Sequence, residues 1–220
     1  MNAPSSDASR LRRPVIWAVV GLLGVIALGL WRVSSWTGLS VVGGLVLLCG
    51  YVLFIALEIG SARREDESGA TSRDRGTFEL YALARVVTVV SALALATEPV
   101  VSSLRIPVGL ALFVCGVALR TAARCALGDL YSHRVRIAEN HRVIDSGPYA
   151  WVRHPAYAGM LLAHFGFVAV FFNVVSFGAL LLLFVPAVVK RILVEEGELQ
   201  ELADYASFCR GKKRLMPWLW

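Results

Sequence analysis

Charged residues are scarce in this sequence of 220 residues. Asp, Glu, Lys and Arg together make up 17% of it, whereas 57% of the residues are hydrophobic and the mean hydropathy is +0.64. In soluble globular domains, about a quarter of the residues are charged. The composition therefore excludes an ordinary soluble domain and predicts an integral membrane protein.

Cysteine is also scarce, and its four copies are scattered. Cys49 and Cys115 lie within apolar runs, and no CxxC pair occurs. This spacing excludes a disulfide framework and a zinc site, and it predicts that these two thiols are buried as small apolar groups. The histidines also lack a recognisable metal-binding spacing, so we expect no metal.

Long uncharged runs alternate with short polar segments. The run 39–57 is long enough to cross the hydrocarbon core as a helix, and 157–189 is long enough for two short helices joined by a turn near Asn173. Hydropathy predicts six membrane helices, at 15–31, 39–57, 80–96, 101–119, 157–172 and 174–189. We accordingly divide the chain into a disordered tail (1–14), membrane helices 1–4 (15–119) and a C-terminal region (120–220) that consists of a polar loop, a helical hairpin and a polar tail.

The basic residues, which give a net charge of +6, lie between the apolar runs and form no nucleic-acid-binding surface. They are concentrated in alternate connections, whereas the intervening short connections contain only Arg32 and Arg105. By the positive-inside rule, both termini and the long polar segments are cytoplasmic.

Two polar residues inside the apolar runs have structural explanations. Arg85 lies within the third run, near its cytoplasmic end, which favours a side chain that snorkels to the interface. His164 lies in the fifth run, where a core histidine with its hydrogen bonds satisfied is more probable than a ligand.

One compact polar segment, "SGPYAWVRHPAYAG", lies where the chain re-enters the membrane. Gly147-Pro148 and His154-Pro155 predict turns, because glycine tolerates unusual backbone angles and proline restricts itself and the preceding residue. Pro155 is suited to the first turn of the following helix, whose free N–H groups attract anions. A simple membrane-interface anchor made of Trp, Tyr and Arg is an equally good explanation.

A second polar cluster, "KRILVEEGEL", ends the last apolar run. Arg191 and Glu195 are four residues apart and can pair on one helix face, whereas Glu196 points elsewhere. An ordinary solvated helix end would have the same pattern. However, both clusters are predicted at the same membrane face, where they would enclose one space.

"HRVIDSGPYAWVRHPAYAG", followed by an apolar hairpin, "RILVEE" and "RLMPWLW", resembles the isoprenylcysteine carboxyl methyltransferase family, which is related to membrane phospholipid methyltransferases. The resemblance covers residues 131–220. It implies an all-α integral membrane protein in which the last two helices form a hairpin, with a small cytoplasmic cofactor-binding loop and tail. The tail departs from the family pattern, because Phe208 stands where a second tyrosine is common.

The resemblance implies S-adenosylmethionine as cofactor and a lipophilic or lipidated acceptor that enters from the bilayer. Carried over by motif, the residues at the reaction centre are Arg191, Glu195 and Arg153. Those lining the cofactor pocket are His141, Val143, Tyr149, His154, Pro155, Tyr157 and Glu196.

The implied reaction transfers a methyl group from a sulfonium to the acceptor. A carboxylate acceptor needs no general base, and Arg191, held by Glu195, would orient it. An amine or thiol acceptor, as in phospholipid N- or thiol S-methylation, would instead need Glu195 or His154 as base. A similar loop occurs in NADPH-dependent sterol reductases, whose cofactor phosphate Lys212, Lys213 and Arg214 would suit. A non-enzymatic membrane protein is the third alternative.

Overall fold

The structure, a computed structural model, describes residues 7–66, 76–99, 104–128, 131, 143–202, 204–217 and 220. Within these ranges the chain is helical, with one isolated β-bridge between Val152 and Lys213 and no β-strand. This agrees with the all-α class expected from the apolar runs.

Four long helices form the first part of the chain, and a shorter apolar helix of 16 residues and a helical rod of 26 residues follow. The first helix begins inside the segment predicted as a disordered tail. A five-residue π-helical turn, Leu180–Phe184, joins the sixth and seventh helices into one continuous rod. The helices are α1 (Asp7–Val33), α2 (Gly38–Asp66), α3 (Thr77–Leu95), α4 (Arg105–Leu127), α5 (Pro155–Val170), α6 (Val174–Ala179), α7 (Val185–Leu199) and α8 (Tyr205–Cys209).

Four segments are long and apolar enough to cross a membrane: Gly38–Gly60, Thr77–Leu95, Arg105–Leu127 and Val174–Leu199. Two apolar helices are shorter, Ala18–Val33 and Pro155–Val170, so the exact number of six spans stays a prediction. Many large apolar side chains on these helices are exposed at the outer surface of the bundle, as expected of an integral membrane protein. Cys49 and Cys115 are exposed as well, so the prediction that they are buried is wrong.

Helices α4 and α5 approach so closely that only glycine fits between them. A Cβ atom on Gly159 of α5 would lie 2.6 Å from the Gly116 carbonyl oxygen and 2.6 Å from the Arg120 nitrogen of α4. Gly109 and Gly166 make the same kind of backbone contact farther along. Small residues allow such packing between membrane helices, and here the packing fixes the start of α5 against α4.

A buried ion-pair network lies at the end of the bundle where α5 begins, called here the polar end. Arg120 donates to both carboxylate oxygens of Glu58, at 3.1 and 2.6 Å, and to the Ala156 carbonyl oxygen in the first turn of α5 at 3.1 Å. Arg124 pairs with the same carboxylate at 2.8 Å. The network therefore connects α2, α4 and α5 next to the predicted site.

The structure confirms the prediction for one of the two polar residues in the apolar runs, His164, and not for the other, Arg85. His164 is fully buried and contacts Tyr51 and the Met160 carbonyl oxygen, which confirms a satisfied core histidine. Arg85 does not snorkel. Its guanidinium lies inside the bundle over the rings of Tyr51 and Phe54, because those rings and the Tyr51 hydroxyl provide a partner closer than the interface.

Candidate active site

The segment before α5, called here the site loop (residues 146–154), has the turns that its sequence predicts. Gly147 has φ +58°, a conformation that side chains disfavour, and it opens the 3₁₀ turn Gly147–Ala150. His154 is non-helical, with φ −128° and ψ 60°, and Pro155 is the first residue of α5. The two prolines thus hold Arg153 and His154 in a short extended stretch.

The C-terminal segment (residues 204–217) pairs with this stretch through its backbone. Arg153 N–H donates to the Lys213 carbonyl oxygen at 2.9 Å, and His154 N–H donates to the Arg214 carbonyl oxygen at 2.8 Å. The Lys212 ammonium donates to the Tyr149 carbonyl oxygen at 3.0 Å and also pairs with Asp145. Backbone pairing and side-chain anchoring therefore fix the C-terminal segment along the site loop.

Glu196 of α7 joins the site loop, α7 and the C-terminal segment. Its side chain is only 8% exposed, and its carboxylate accepts from His154 Nε2 at 3.2 Å. It pairs with Arg153 Nη1 at 2.9 Å, and it accepts from Arg214 Nε at 2.9 Å. A carboxylate accepts only, so His154 Nε2 carries a hydrogen in this contact.

Glu195 and Arg191 occupy neighbouring positions with separate partners. Glu195 accepts from the Tyr157 hydroxyl at 2.6 Å and lies 3.9 Å from His154 Nδ1. The buried Arg191 donates to the Thr77 hydroxyl at 3.2 Å and lies over the rings of Phe78 and Tyr81 of α3. Among the described residues no ion pair is seen between Arg191 and Glu195. Arg191 instead contacts α3, and Glu195 contacts Tyr157 of α5.

Two polar atoms beside Glu196 are buried and have no hydrogen-bond partner: Arg153 Nε and the Tyr205 hydroxyl. Burial, together with the charge of Glu196, raises the pKa of Tyr205, so this hydroxyl is protonated at neutral pH. Buried donors without a partner are costly. These two donors therefore suit a polar ligand that supplies acceptors.

An apolar cluster lies next to these donors. It is formed by Tyr149, Tyr205 and Phe208 with Ala123 and Ala156, and Val143 packs against it. Burial raises the pKa of Tyr149, so this ring stays neutral. The site thus combines an acidic centre, unpartnered donors and an aromatic surface, which together suit a ligand with a polar, partly cationic end and a flat apolar end.

The predicted site residues meet at the polar end of the bundle, with one exception. His141 lies outside the described residues. Sequence reasoning missed Thr77, Tyr205 and the role of Arg214. Tyr205 and Arg214 come from the tail, where the family pattern is weakest. Thr77 is separated from Arg191 by more than a hundred residues and has no local signal.

Residues 109–201 match the model of the Isoprenylcysteine carboxyl methyltransferase (ICMT) family. Protein-S-isoprenylcysteine O-methyltransferase of Mus musculus is 42% identical over 53 residues, which are 23% of this chain and 19% of the mouse protein. Probable protein-S-isoprenylcysteine O-methyltransferase of Oryza sativa subsp. indica is 32% identical over 116 residues, 51% of this chain and 61% of the rice protein. The chain thus spans less than two thirds of the length of either relative.

A solved structure described as the eukaryotic intramembrane Ras methyltransferase ICMT is similar over most of the chain. It superposes with a TM-score of 0.57 at 18% identity, covering 90% of this chain and 74% of that one. At this identity the likeness shows the fold. Together these findings confirm the family resemblance drawn from the sequence and support an ICMT-like membrane fold.

Proposed function

We propose, from the family match over residues 109–201, that this chain is an integral membrane methyltransferase that uses S-adenosylmethionine. The proposed acceptor is the carboxylate of a lipophilic, isoprenylcysteine-like molecule. The observation that carries the proposal is the convergence of the site loop, α7 and the C-terminal segment on Glu196, beside the two buried, unpartnered donors of Arg153 and Tyr205.

The residues at the site fit this cofactor. Glu196 would hold the pocket together through His154, Arg153 and Arg214. The free Arg153 Nε and Tyr205 hydroxyl suit a carboxylate, and the cluster of Tyr149, Phe208 and Val143 suits a purine ring. When bound, the cofactor would supply an electrophilic methyl group on a sulfonium. His154 and Pro155 would shape the pocket wall where α5 begins.

Arg191 is the proposed group that orients the acceptor carboxylate. Its guanidinium is buried and is held by Thr77 and two aromatic rings of α3, which leaves little freedom of orientation. A fixed cation beside a carboxylate helps to align the reacting oxygen, and alignment is the main requirement of a methyl displacement. Glu195, held by Tyr157, would complete the wall between the acceptor and the cofactor.

The distribution of basic residues supports a cytoplasmic location for the site and for both termini. The cofactor would enter from the cytoplasm and the acceptor from the bilayer. Two of the three cations that a phosphate-bearing nicotinamide cofactor would need pair with protein groups: Arg214 with Glu196, and Lys212 with Asp145 and Tyr149. This arrangement favours the methyltransferase over the reductase alternative.

The deciding experiment measures methyl transfer from radiolabelled S-adenosylmethionine to a farnesylcysteine analogue by the purified protein. The product is then treated with base. Release of label as volatile methanol would support a carboxyl methyl ester. Base-stable label would retain the methyltransferase and redirect the proposal to an amine or thiol acceptor. Absence of transfer, together with absence of S-adenosylhomocysteine binding, would refute the proposal.

Three variants separate the proposed roles. Glu196→Ala or His154→Ala should abolish S-adenosylhomocysteine binding without affecting membrane insertion. Arg191→Gln should retain that binding and lose transfer to the carboxylate. Lys190→Gln is the matched control, because Lys190 is the neighbouring cation but is exposed on the outside of α7.

A further inference from the structure

A second polar cluster lies deeper in the bundle, away from the candidate active site. It consists of Tyr51 from α2, Arg85 from α3 and His164 from α5. Arg85 Nε lies 3.3 Å from the Tyr51 hydroxyl, which lies 3.3 Å from His164 Nε2. His164 Nδ1 lies 2.8 Å from the Met160 carbonyl oxygen. Three helices thus contribute to one connected chain of hydrogen bonds.

The direction of each hydrogen bond follows from the two ends of the chain, the Met160 carbonyl oxygen, which only accepts, and the Arg85 guanidinium, which only donates. A carbonyl oxygen only accepts, so His164 Nδ1 carries a hydrogen and donates to Met160. The other nitrogen of a neutral imidazole is an acceptor, so the Tyr51 hydroxyl donates to His164 Nε2. The Tyr51 oxygen in turn accepts from Arg85 Nε. Both His164 nitrogens and the Tyr51 hydroxyl are satisfied with a neutral histidine, and the cluster keeps the positive charge of Arg85.

Arg85 has an unused donor. Its Nη2 atom is buried and has no hydrogen-bond partner in the part of the chain that the structure describes. Within the described part of the chain, no carboxylate forms an ion pair with Arg85, whereas Arg120 and Arg124 are both paired with Glu58. Arginine does not lose its proton in proteins, and a charge inside a membrane bundle is costly unless it is paired. The arrangement therefore lacks an anion.

The surroundings of the cluster are apolar: Phe54 and Phe184 are buried beside it, whereas Arg85 itself is partly exposed at the bundle surface. The Phe54 ring lies under the guanidinium, and the Phe184 ring lies 4.7 Å from that of His164. Phe184 ends the π-helical turn Leu180–Phe184, and such turns are frequent at functional sites. Neighbouring side chains on α3, such as Leu83 and Val86, are exposed at the bundle surface. A ligand that reaches this level would come from the lipid.

The cluster is separate from the proposed transfer centre. Thr77, the partner of Arg191, precedes Arg85 by eight residues in the same helix, which corresponds to about 12 Å along its axis. Arg191 and Arg85 are therefore held at different levels of α3.

We propose that Arg85, fixed by Tyr51 and His164, forms an intramembrane binding site for the oxyanion of a lipid-borne carboxylate or phosphate. The guanidinium Nη2 donates to the oxyanion, and the hydrocarbon chain of the ligand lies along the apolar surface of the bundle. The site does not depend on methyl transfer, because none of its three residues belongs to the candidate active site.

The test is equilibrium binding of three lipids with the same chain length to the purified full-length protein in uncharged detergent. The probes are palmitate, palmitoyl lysophosphatidate and, as the uncharged reference, hexadecanol. At least one anionic probe should bind about tenfold or more tightly than hexadecanol, as expected for a charge-assisted hydrogen bond. Tighter binding of palmitate would identify a carboxylate as the oxyanion that the site binds, and tighter binding of lysophosphatidate would identify a phosphate.

Substitutions test whether the lipid probe binds at Arg85. Arg85→Gln should weaken binding of the preferred probe about tenfold or more. Arg105→Gln is the matched control, because this guanidinium already donates to the Ala169 and Val170 carbonyl oxygens. Equal binding of hexadecanol, unchanged affinity in Arg85→Gln, or loss only in Arg191→Gln would each overturn the proposal.

A measurement on the unaltered protein keeps the proposal testable if Arg85→Gln fails to fold. The preferred probe is titrated with its head group observed by NMR, as ¹³C-carboxyl palmitate or as the ³¹P signal of lysophosphatidate. Next to a buried guanidinium the head group should stay ionised to lower pH than in empty micelles. An identical titration in the two samples would refute the site.

Discussion

Glu196→Gln tests whether one buried carboxylate holds the C-terminal segment on the site loop. The substitution keeps the shape of the side chain and removes its charge. Its amide nitrogen would bring a donor next to the guanidinium of Arg153 or Arg214, where the native carboxylate accepts. We expect the C-terminal segment to detach while the membrane helices remain folded, because no helix of the bundle is held by these two contacts.

The magnitude follows from the Arg214 contact, because Arg153 belongs to the site loop and its pairing with Glu196 does not hold the C-terminal segment. A hydrogen bond to a charged group stabilises by about 1.5–3 kcal/mol. The Arg214 side chain is 26% exposed, so solvent partly screens it and the lower value applies. The contact therefore contributes about 1.5 kcal/mol to docking of the segment, which corresponds to about a tenfold change in its docking equilibrium.

Amide hydrogen exchange measures this docking directly. The N–H groups of Arg153 and His154 donate to the carbonyl oxygens of Lys213 and Arg214, so both amides are protected only while the segment is docked. Glu196→Gln should accelerate exchange at both amides by up to about tenfold, while amides within α4 and α5 keep their protection.

Glu195→Gln is the matched control, since Glu195 contacts Tyr157 and His154 but not the C-terminal segment. It should leave exchange at residues 153 and 154 unchanged. Equal exchange in Glu196→Gln and in the unaltered protein would show that the backbone pairing alone holds the segment, and it would refute the role assigned to Glu196.

Two further predictions concern the bundle. Gly159→Ala should lower the free energy of unfolding by about 1–3 kcal/mol, because the new methyl group would lie 2.6 Å from backbone atoms of α4. Thermal unfolding in detergent would measure this loss. The control is Gly197→Ala, which has open space around it and should not destabilise the protein in this way. Glu58→Gln should destabilise by about 3–5 kcal/mol, because it leaves Arg120 buried without its counter-ion. Adding Arg120→Gln should recover part of this loss, and full additivity in that double variant would contradict the pairing.

The sequence was most informative where structure depends on local chemistry. Proline and glycine restrict the backbone wherever they occur, so the turns at Gly147 and His154 and the start of α5 at Pro155 could be predicted. Long uncharged runs likewise predict helices in a membrane, whatever their neighbours. The family motif brought Glu196 and His154 into the same prediction, and the structure places them in contact.

Partners that are distant in the chain could not be predicted in this way. The i, i+4 spacing permits an Arg191–Glu195 pair, but Thr77 and Tyr157 on two other helices bind these side chains instead. Arg85 lies near the end of an apolar run, which predicted that its side chain reaches the membrane interface. Its side chain instead contacts Tyr51, and this contact depends on how α2 packs against α3. Local rules state what a side chain can do, and tertiary packing selects among the options.

The shortness of α5 has a consequence for the surrounding bilayer. Its sixteen residues span about 24 Å, less than the roughly 30 Å of a typical hydrocarbon core, whereas the 23 residues of Gly38–Gly60 span about 35 Å. Glycine contacts fix α5 against α4, so it cannot slide to relieve this hydrophobic mismatch. The membrane would therefore thin beside α5, and lipids with shorter acyl chains should stabilise the protein relative to longer ones.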